Sequence, residues 1–280
     1  MIIAGIKRSN LFSPNHVGND SSIFGQTVQC LSEAGYHVNE YSEEEFPENG
    51  VGERLIFTMA RSKKIVALLQ EMERNGAIVI NSGFGIENCY RANMTKLLLA
   101  AGIPYPESII IDTLQPGNAL EKLGGKNIWI KRGDFHAIHK EDVTFVRHAE
   151  EGREMLGEYA LRGIDSVVLC KHIPGDLVKF YGVGTTGFFY WFYPSEAMHS
   201  KFGTESVNGE IKHLPFEASR LKETGFAAAR VLGVDIYGGD AIIRPDGSIC
   251  LIDLNDWPSF APCRNEAASN IAQSIIKAFG

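Results

Sequence analysis

The run GGDAIIRPDGSICLIDLN near the C-terminus limits the fold most tightly, because it reads as two strands and a tight turn that bring acidic side chains together. Residues 241–243 and 249–254 are short and β-rich, and the intervening RPDGS carries the Pro, Asp and Gly of a hairpin turn. Side chains alternate faces along a strand, so Asp253 and Asn255 point the same way, and Asp240, thirteen residues before Asp253, joins them from the partner strand. Two carboxylates and an amide then present the hard oxygens that hold magnesium alongside the phosphates of a ligand. The bland alternative is a solvated hairpin with acidic decoration, but Ile252 and Leu254 flank Asp253 in a strand that reads as buried. Without metal such carboxylates are expected to repel, so that removing one stabilises the chain.

A length of 280 residues allows two or three compact lobes, and a hydrophobic share of 44% is ordinary for a globular enzyme. A net charge of −7 without basic tracts argues against a nucleic-acid or anionic-membrane binder. No apolar run reaches the length of a membrane span, and MIIAGIKRSN lacks a secretory hydrophobic segment, so a cytoplasmic protein is expected, with homo-oligomerisation left open. The 5 cysteines, at 30, 89, 170, 250 and 263, form no CxxC pair and read as reduced, mostly buried thiols. Cys263 follows Pro262 in a loop, with no histidine close in sequence to activate it.

Strand and helix signals alternate at the start of the chain: strands at 1–6, 36–41, 55–59 and 77–81, helices at 21–34 and 62–75. A parallel α/β lobe follows, and such sheets bind ligands in the loops at the C-terminal ends of their strands. Asn15, His16 and Asn19, in the loop after the first strand, are candidate substrate contacts or plain surface polarity. A helix at 93–101 ends at Gly102, and Pro104 and Pro106 stop its continuation. Short strands at 108–111, 128–131 and 143–146, with helices at 118–123 and 150–161, predict a small α+β lobe. From Val167 the chain turns strongly β before a helix at 216–232.

Lys131 ends the apolar strand IWIK and precedes RGDFHAIH, a placement that can aim a fixed cation at a phosphate, although strand-end lysines are more often solvated. The order is more specific than any one piece: a basic residue before GIPYP, a strand lysine, a β-segment ending in HIPGD, then GGDAI and LIDLN. In this order, from about Arg61 onward, the chain resembles the ATP-grasp superfamily, in particular the branch of the ribosomal-protein glutamate ligase and the lysine-biosynthesis ligase. The resemblance implies three lobes: an N-terminal parallel α/β lobe over 1–90, a small α+β lid over 91–168 and a β-rich lobe over 169–280 carrying the metal site.

It also implies ATP and magnesium, or manganese in its place, held by Asp240, Asp253 and Asn255. Lys131 would contact the phosphates, Arg91 would take the place of the family's earlier nucleotide-binding lysine, 168–173 (with Cys170, Lys171, His172 and Ile173) would form the hinge against adenine, and Asp176 would meet the ribose. Lys179 falls where relatives carry an arginine facing the transferred phosphate. The chain departs from the pattern in lacking an early hinge Glu, a glycine-rich phosphate loop and a glycine after the metal motif. His136 or His139 could serve the phosphate loop, or both could be surface residues, and Ser259 or Arg264 would take over substrate contacts. The implied activity is a carboxylate–amine ligase that forms an acyl phosphate from a small-molecule or peptide acid. The alternatives are a small-molecule kinase, which would draw on Lys201, Lys212, Arg220, Lys222, Arg244 and Arg264, and a non-catalytic nucleotide-binding regulator.

Overall fold

Three four-stranded sheets follow one another along the chain, each built by one contiguous stretch of sequence. The structure is a computed structural model and describes residues 1–14, 17–194 and 207–280, so Asn15, His16 and Lys201 lie outside the described residues.

The first stretch alternates β1 (Ile2–Ile6), α1 (Val17–Glu33), β2 (His37–Tyr41), α2 (Phe46–Asn49), β3 (Leu55–Thr58), α3 (Lys63–Arg74) and β4 (Ile78–Ile80). Its strands are all parallel, in the order β2-β1-β3-β4. The winding direction reverses between β1 and β3, and the C-terminal ends of these two strands therefore open a crevice of the kind in which α/β sheets take ligands. Helix α3 shows how locally the lobe is specified. Ser62 caps it by accepting from the Ile65 amide, and Ile65, Val66, Leu69 and Met72 bury one stripe, each contributing about 1.5–3 kcal/mol.

Two helices follow, α4 (Gly83–Asn88) and α5 (Arg91–Ala100), then a second sheet from β5 (Ser108–Asp112), α6 (Ala119–Lys122), β6 (Lys126–Arg132), β7 (Val143–His148), α7 (Ala149–Leu161) and β8 (Ser166–Lys171), in the antiparallel order β5-β8-β6-β7. The third sheet, β10-β9-β11-β12, is also antiparallel. It uses β9 (Asp176–Val183), β10 (Phe188–Phe192), α8 (Ala218–Leu232), β11 (Ile236–Ile243) and β12 (Ile249–Asp256), before α9 (Arg264–Phe279) ends the chain.

Two expected lobe boundaries shift. Strand β8 stays hydrogen-bonded in the second sheet through Lys171, so the break falls after it rather than at 168. Helix α5, expected in the lid, instead buries Met94 and Leu98 against Val178, Phe180 and Leu221 of the third lobe, because its apolar stripe finds a larger core there. The chain also doubles back. Ala267, Ala268, Ile271 and Ile275 of α9 share a core with Ile3, Ile23, Phe24 and Leu31. Asn81, after β4, accepts from the Asp235 and Ile236 amides and donates to the Ile236 carbonyl, tying the first sheet to the start of β11. Among the described residues, no helix is long and apolar enough to cross a membrane.

Candidate active site

The second and third sheets face each other across a cavity of about 340 Å³, and strand alternation decides what each presents. Ile128 and Ile130 of β6 and Val167 and Leu169 of β8 pack with α7 residues, which leaves Trp129, Lys131 and Cys170 lining the cavity. In β9, Val178 and Phe180 are core while Leu177, Lys179 and Tyr181 line the opposite wall.

The acidic hairpin closes the deep end. Strand β11 is longer than the expected 241–243, so Asp240 lies inside it, directly opposite Asp253. The pairing then slips between Asp240 and Ala241, which pairs with Leu251, so Ile252 is the extra residue of a β-bulge. Ile249, Leu251 and Leu254 all face the core, whereas Ile252, Asp253 and Asn255 line the cavity. Unbroken alternation from Ile249 would aim Asp253 and Asn255 into the apolar core; the bulge resets it. It also frees the Ile252 carbonyl, which accepts from Lys131 Nζ at 3.0 Å. Gly239 lies on the cavity wall because a Cβ there would come within 2.5 Å of the Asp253 carbonyl oxygen.

The carboxylates are not bare, which overturns the expected repulsion. Arg91, at the start of α5 and 1% exposed, donates to Asp253 Oδ2 at 2.9 Å, and Lys179 Nζ, cross-strand from Asp240, reaches both its oxygens at 2.9 and 3.0 Å. Burial alone would raise the pKa of Asp253, but Arg91, with His136 and Lys131, outweighs it and holds the carboxyl well below its usual range. Asp253 Oδ1, and Nε and Nη1 of Arg91, are buried without hydrogen-bond partners. Such unmatched groups fit a site completed by a ligand. Among the described residues, no cluster of three or more His, Cys, Asp or Glu forms a metal cage. Two carboxylates and Asn255 therefore fit a cation that arrives with phosphate ligands rather than one held by protein alone.

At the other end, Cys170, Lys171, His172 and Ile173 line the cavity with Pro106, Leu177 and Ile242. Trp129 Nε1 donates to His172 Nδ1 at 3.1 Å, and burial lowers the ionisation of His172, so the imidazole is neutral there. Asp176 does not join this wall. Its carboxylate accepts from the Lys212 and Leu214 amides at 2.9 and 2.7 Å, is 3% exposed and fastens a loop, because its strand position points into the core rather than the cavity.

Loops from distant stretches build the remaining end, which contains residues that motif reading missed, Arg8, Ser13, Asp20 and Arg61; Asn208, also missed, lines the cavity as well. Arg8 and Arg61 each follow a parallel strand, β1 or β3, at its C-terminal end, and that position is the signal that could have singled them out. Asn19 lines the cavity, but Arg264 does not; its Nη2 donates to Asn19 Oδ1 at 2.8 Å, so it holds that side chain in place. Ser259 is on the wall. Of the two loop histidines, His136 is 5% exposed, lines the cavity and sits between Asp253 and Asp256, with ring nitrogens 3.7 and 3.9 Å from their oxygens. Burial pushes its ionisation down to about 4. His139 is exposed, and its amide, with that of Ile138, is held by Asp142 at 2.9 Å, so the loop hangs on Asp142 rather than on glycines. Trp257 (φ 34°) and Phe260 (φ 49°) hold strained left-handed backbone just after the metal motif, offset by full burial of both rings. Burial pushes the Cys263 thiol up to about 12, so no thiolate nucleophile is available there. None of Lys212, Arg220, Lys222 and Arg244, the cations a kinase would need, lines the cavity.

No protein-family model and no curated protein sequence matches this chain. Solved structures do. The D-alanine–D-alanine ligase from Bacillus anthracis complexed with ATP aligns over 99% of this chain and 97% of its own, with 16% identity and a TM-score of 0.73. A RimK-domain ATP-grasp protein from Sphaerobacter thermophilus aligns over 99% and 100%, with 13% identity and a TM-score of 0.68. The VanG D-Ala:D-Ser ligase from Enterococcus faecalis aligns over 100% and 99%, with 14% identity and a TM-score of 0.67. These likenesses run the full length of the chain, through all three sheets and the cavity between them, and the protein has the ATP-grasp fold.

Proposed function

We propose that the protein is an ATP- and magnesium-dependent carboxylate–amine ligase that works through an acyl phosphate and releases ADP and phosphate. The observation that carries this reading is the convergence of Arg91, Lys131 and Lys179 with Asp240, Asp253 and Asn255 in one cavity between two antiparallel sheets. The solved ligases that share the fold support the same class. On this reading the second sheet covers the nucleotide, the third carries the metal ligands and the first lobe supplies the acid end. Asp240, Asp253 and Asn255 would hold magnesium, which supplies neutralising charge to the phosphates. Lys131, fixed by the Ile252 carbonyl, and Lys179 offset the charge of the γ-phosphoryl group as it passes to the substrate carboxylate. An amine then attacks the acyl phosphate, forming the amide and expelling phosphate. Small-molecule or peptide acids and amines are the substrates. Five free cysteines and the use of ATP fit a cytoplasmic setting.

Hydroxylamine separates ligase from kinase. With MgATP and an accepted acid, a ligase yields ADP and a hydroxamate, because only a mixed anhydride carries an activated carbonyl. A stable phosphate ester, with no hydroxamate from any substrate that is turned over, would remove the ligase reading and leave the fold untouched.

A further inference from the structure

The crevice where the first sheet reverses its winding opens into the cavity, and two arginines stand at its lips. Arg8, after β1, has no donor edge to spare: Nε binds the Met59 carbonyl at 3.2 Å, Nη1 binds Asp20 at 3.1 Å and Nη2 binds the Trp257 carbonyl at 2.8 Å. Arg61, after β3, differs. It is 8% exposed and lines the cavity, yet its Nε is buried without a hydrogen-bond partner.

The surroundings of Arg61 are built to hold it still. Glu43 accepts from the Arg61 and Ser62 amides at 3.1 and 3.0 Å and from the Ser9 amide at 3.0 Å, clamping together the loops after β1 and β3. Tyr90 donates to the Arg61 carbonyl at 3.0 Å. Among the described residues the guanidinium is pinned at Nη2, by the Asp256 carbonyl at 2.9 Å and Asp256 Oδ1 at 3.2 Å. Asp256 is 1% exposed and comes three residues after Asp253; the single ring of His136 spans the space between their carboxylates. A rigid, buried cation with an unmatched donor, linked to Asp253 through Asp256 and the ring of His136, suits an anion that must be phosphorylated near that carboxylate.

We propose that Arg61 binds the carboxylate of the acid substrate, making it a catalytic residue supplied by the first lobe, and that Asp256 is the positioning residue that fixes its guanidinium. The assignment rests on the ligase reading above. The other cations of the cavity lie elsewhere: Arg91 keeps two unmatched donors but is committed to Asp253, Lys179 binds Asp240, Lys131 binds the Ile252 carbonyl and Lys171 pairs with Glu107. Their natural exchange partners are phosphates. Arg61 faces the end lined by Ser13, Asn19 and Ser259. The acid's carboxylate therefore lies between Arg61 and the metal ligands, with the remainder of the acid toward those three residues.

The test supplies free L- and D-α-amino acids and small dicarboxylic acids, one at a time, with MgATP and hydroxylamine, and follows ADP and hydroxamate in the wild type and in Arg61→Lys, Arg61→Ala and Asp256→Asn. The expected result is a KM for the acid raised about tenfold or more in Arg61→Ala and less in Arg61→Lys, with the KM for MgATP unchanged. The thermal shift produced by MgATP should likewise be unchanged. Added guanidinium ion should restore part of the Arg61→Ala activity, which it would not do for a merely structural arginine. Asp256→Asn should raise the acid KM by a smaller factor. An unchanged acid KM in both Arg61 variants, or a parallel rise in the KM for MgATP, overturns the assignment and leaves the ligase reading standing. If Arg61→Ala does not fold, Arg61→Lys decides alone, with its fold checked by the MgATP shift. If the wild type binds MgATP but turns over none of these acids, the ligase reading falls and this assignment falls with it.

Discussion

The two ends of the cavity are made in different ways. The end we assign to the phosphates is regular: Lys131, Lys179, Asp240, Asp253 and Asn255 sit on four strands, and their directions follow from alternation plus one bulge. The end we assign to the acid is assembled from loops after β1 and β3, the turn after β12 and the start of α9, and its partners lie up to 249 residues apart, as with Arg8 and the Trp257 carbonyl. Strand positions give short-range geometry that tolerates no slip. Loop positions depend on a network of buried ion pairs, which is costly to desolvate and collapses in pieces. Damage to the first should therefore appear in turnover, and damage to the second in substrate affinity and stability.

The largest effects are expected at the hairpin. On the proposed reading, Asp253→Asn and Asp240→Asn should each lower ADP formation by on the order of a thousandfold or more, since each would remove an anionic metal ligand. Because Arg91 is buried against Asp253, Asp253→Asn should also lower stability, by about 3 kcal/mol in chemical denaturation. A stabilised variant would show that the carboxylates repel after all. Next, Lys131→Ala should reduce kcat/KM by about a hundredfold and weaken the MgATP thermal shift, comparable with losing one preorganised oxyanion donor. An unchanged rate and shift would reduce Lys131 to a strand-end lysine.

Smaller effects should mark the acid end and the walls. Arg264→Ala frees Asn19 and is expected to raise the KM for the acid by about tenfold while sparing MgATP binding. Equal losses for both substrates would erase the difference between the ends. Asp176→Asn should cost about 2 kcal/mol of stability by weakening two backbone hydrogen bonds, yet leave the KM for ATP alone. A specific loss of nucleotide affinity would return Asp176 to the ribose.

The last effect concerns pH. His136 is held neutral with its ionisation near 4, whereas the unfolded chain protonates near 6.5, so the unfolded state takes up the proton first as pH falls. Stability of the metal-free protein is complete above about 6.5 and declines toward 4, by at most about 1.4 kcal/mol per pH unit from this group. His172, shifted in the same direction, adds to the slope. His136→Gln should flatten this window in denaturation curves measured across it, and an unaltered slope would sink the claim.

Much of the fold was legible from residues. The capped amphipathic stripe of α3, the RPDGS turn and the parity of Asp253 with Asn255 are local, and each rests on periodicity or turn chemistry that no distant contact alters. Asp176 shows where that reading ran out. As the last residue of HIPGD it looked like a ribose ligand, but strand alternation turned it toward two backbone amides of a later loop. Helix α5 looked like part of the lid and packed elsewhere, because an apolar stripe shows that it will be buried and not against what.

The sequence by itself determined the order of strands and helices, the acidic hairpin and the strand cations, because these depend on spacings of a few residues. Only the tertiary structure decided that Ile252 is extruded, that Arg91 and Lys179 neutralise Asp253 and Asp240, that Arg264 holds Asn19 and that Arg8 and Arg61 meet Asp256. These are long-range pairings among buried charges, chosen by which partners the folded backbone brings within about 4 Å of one another, and no local pattern encodes that choice.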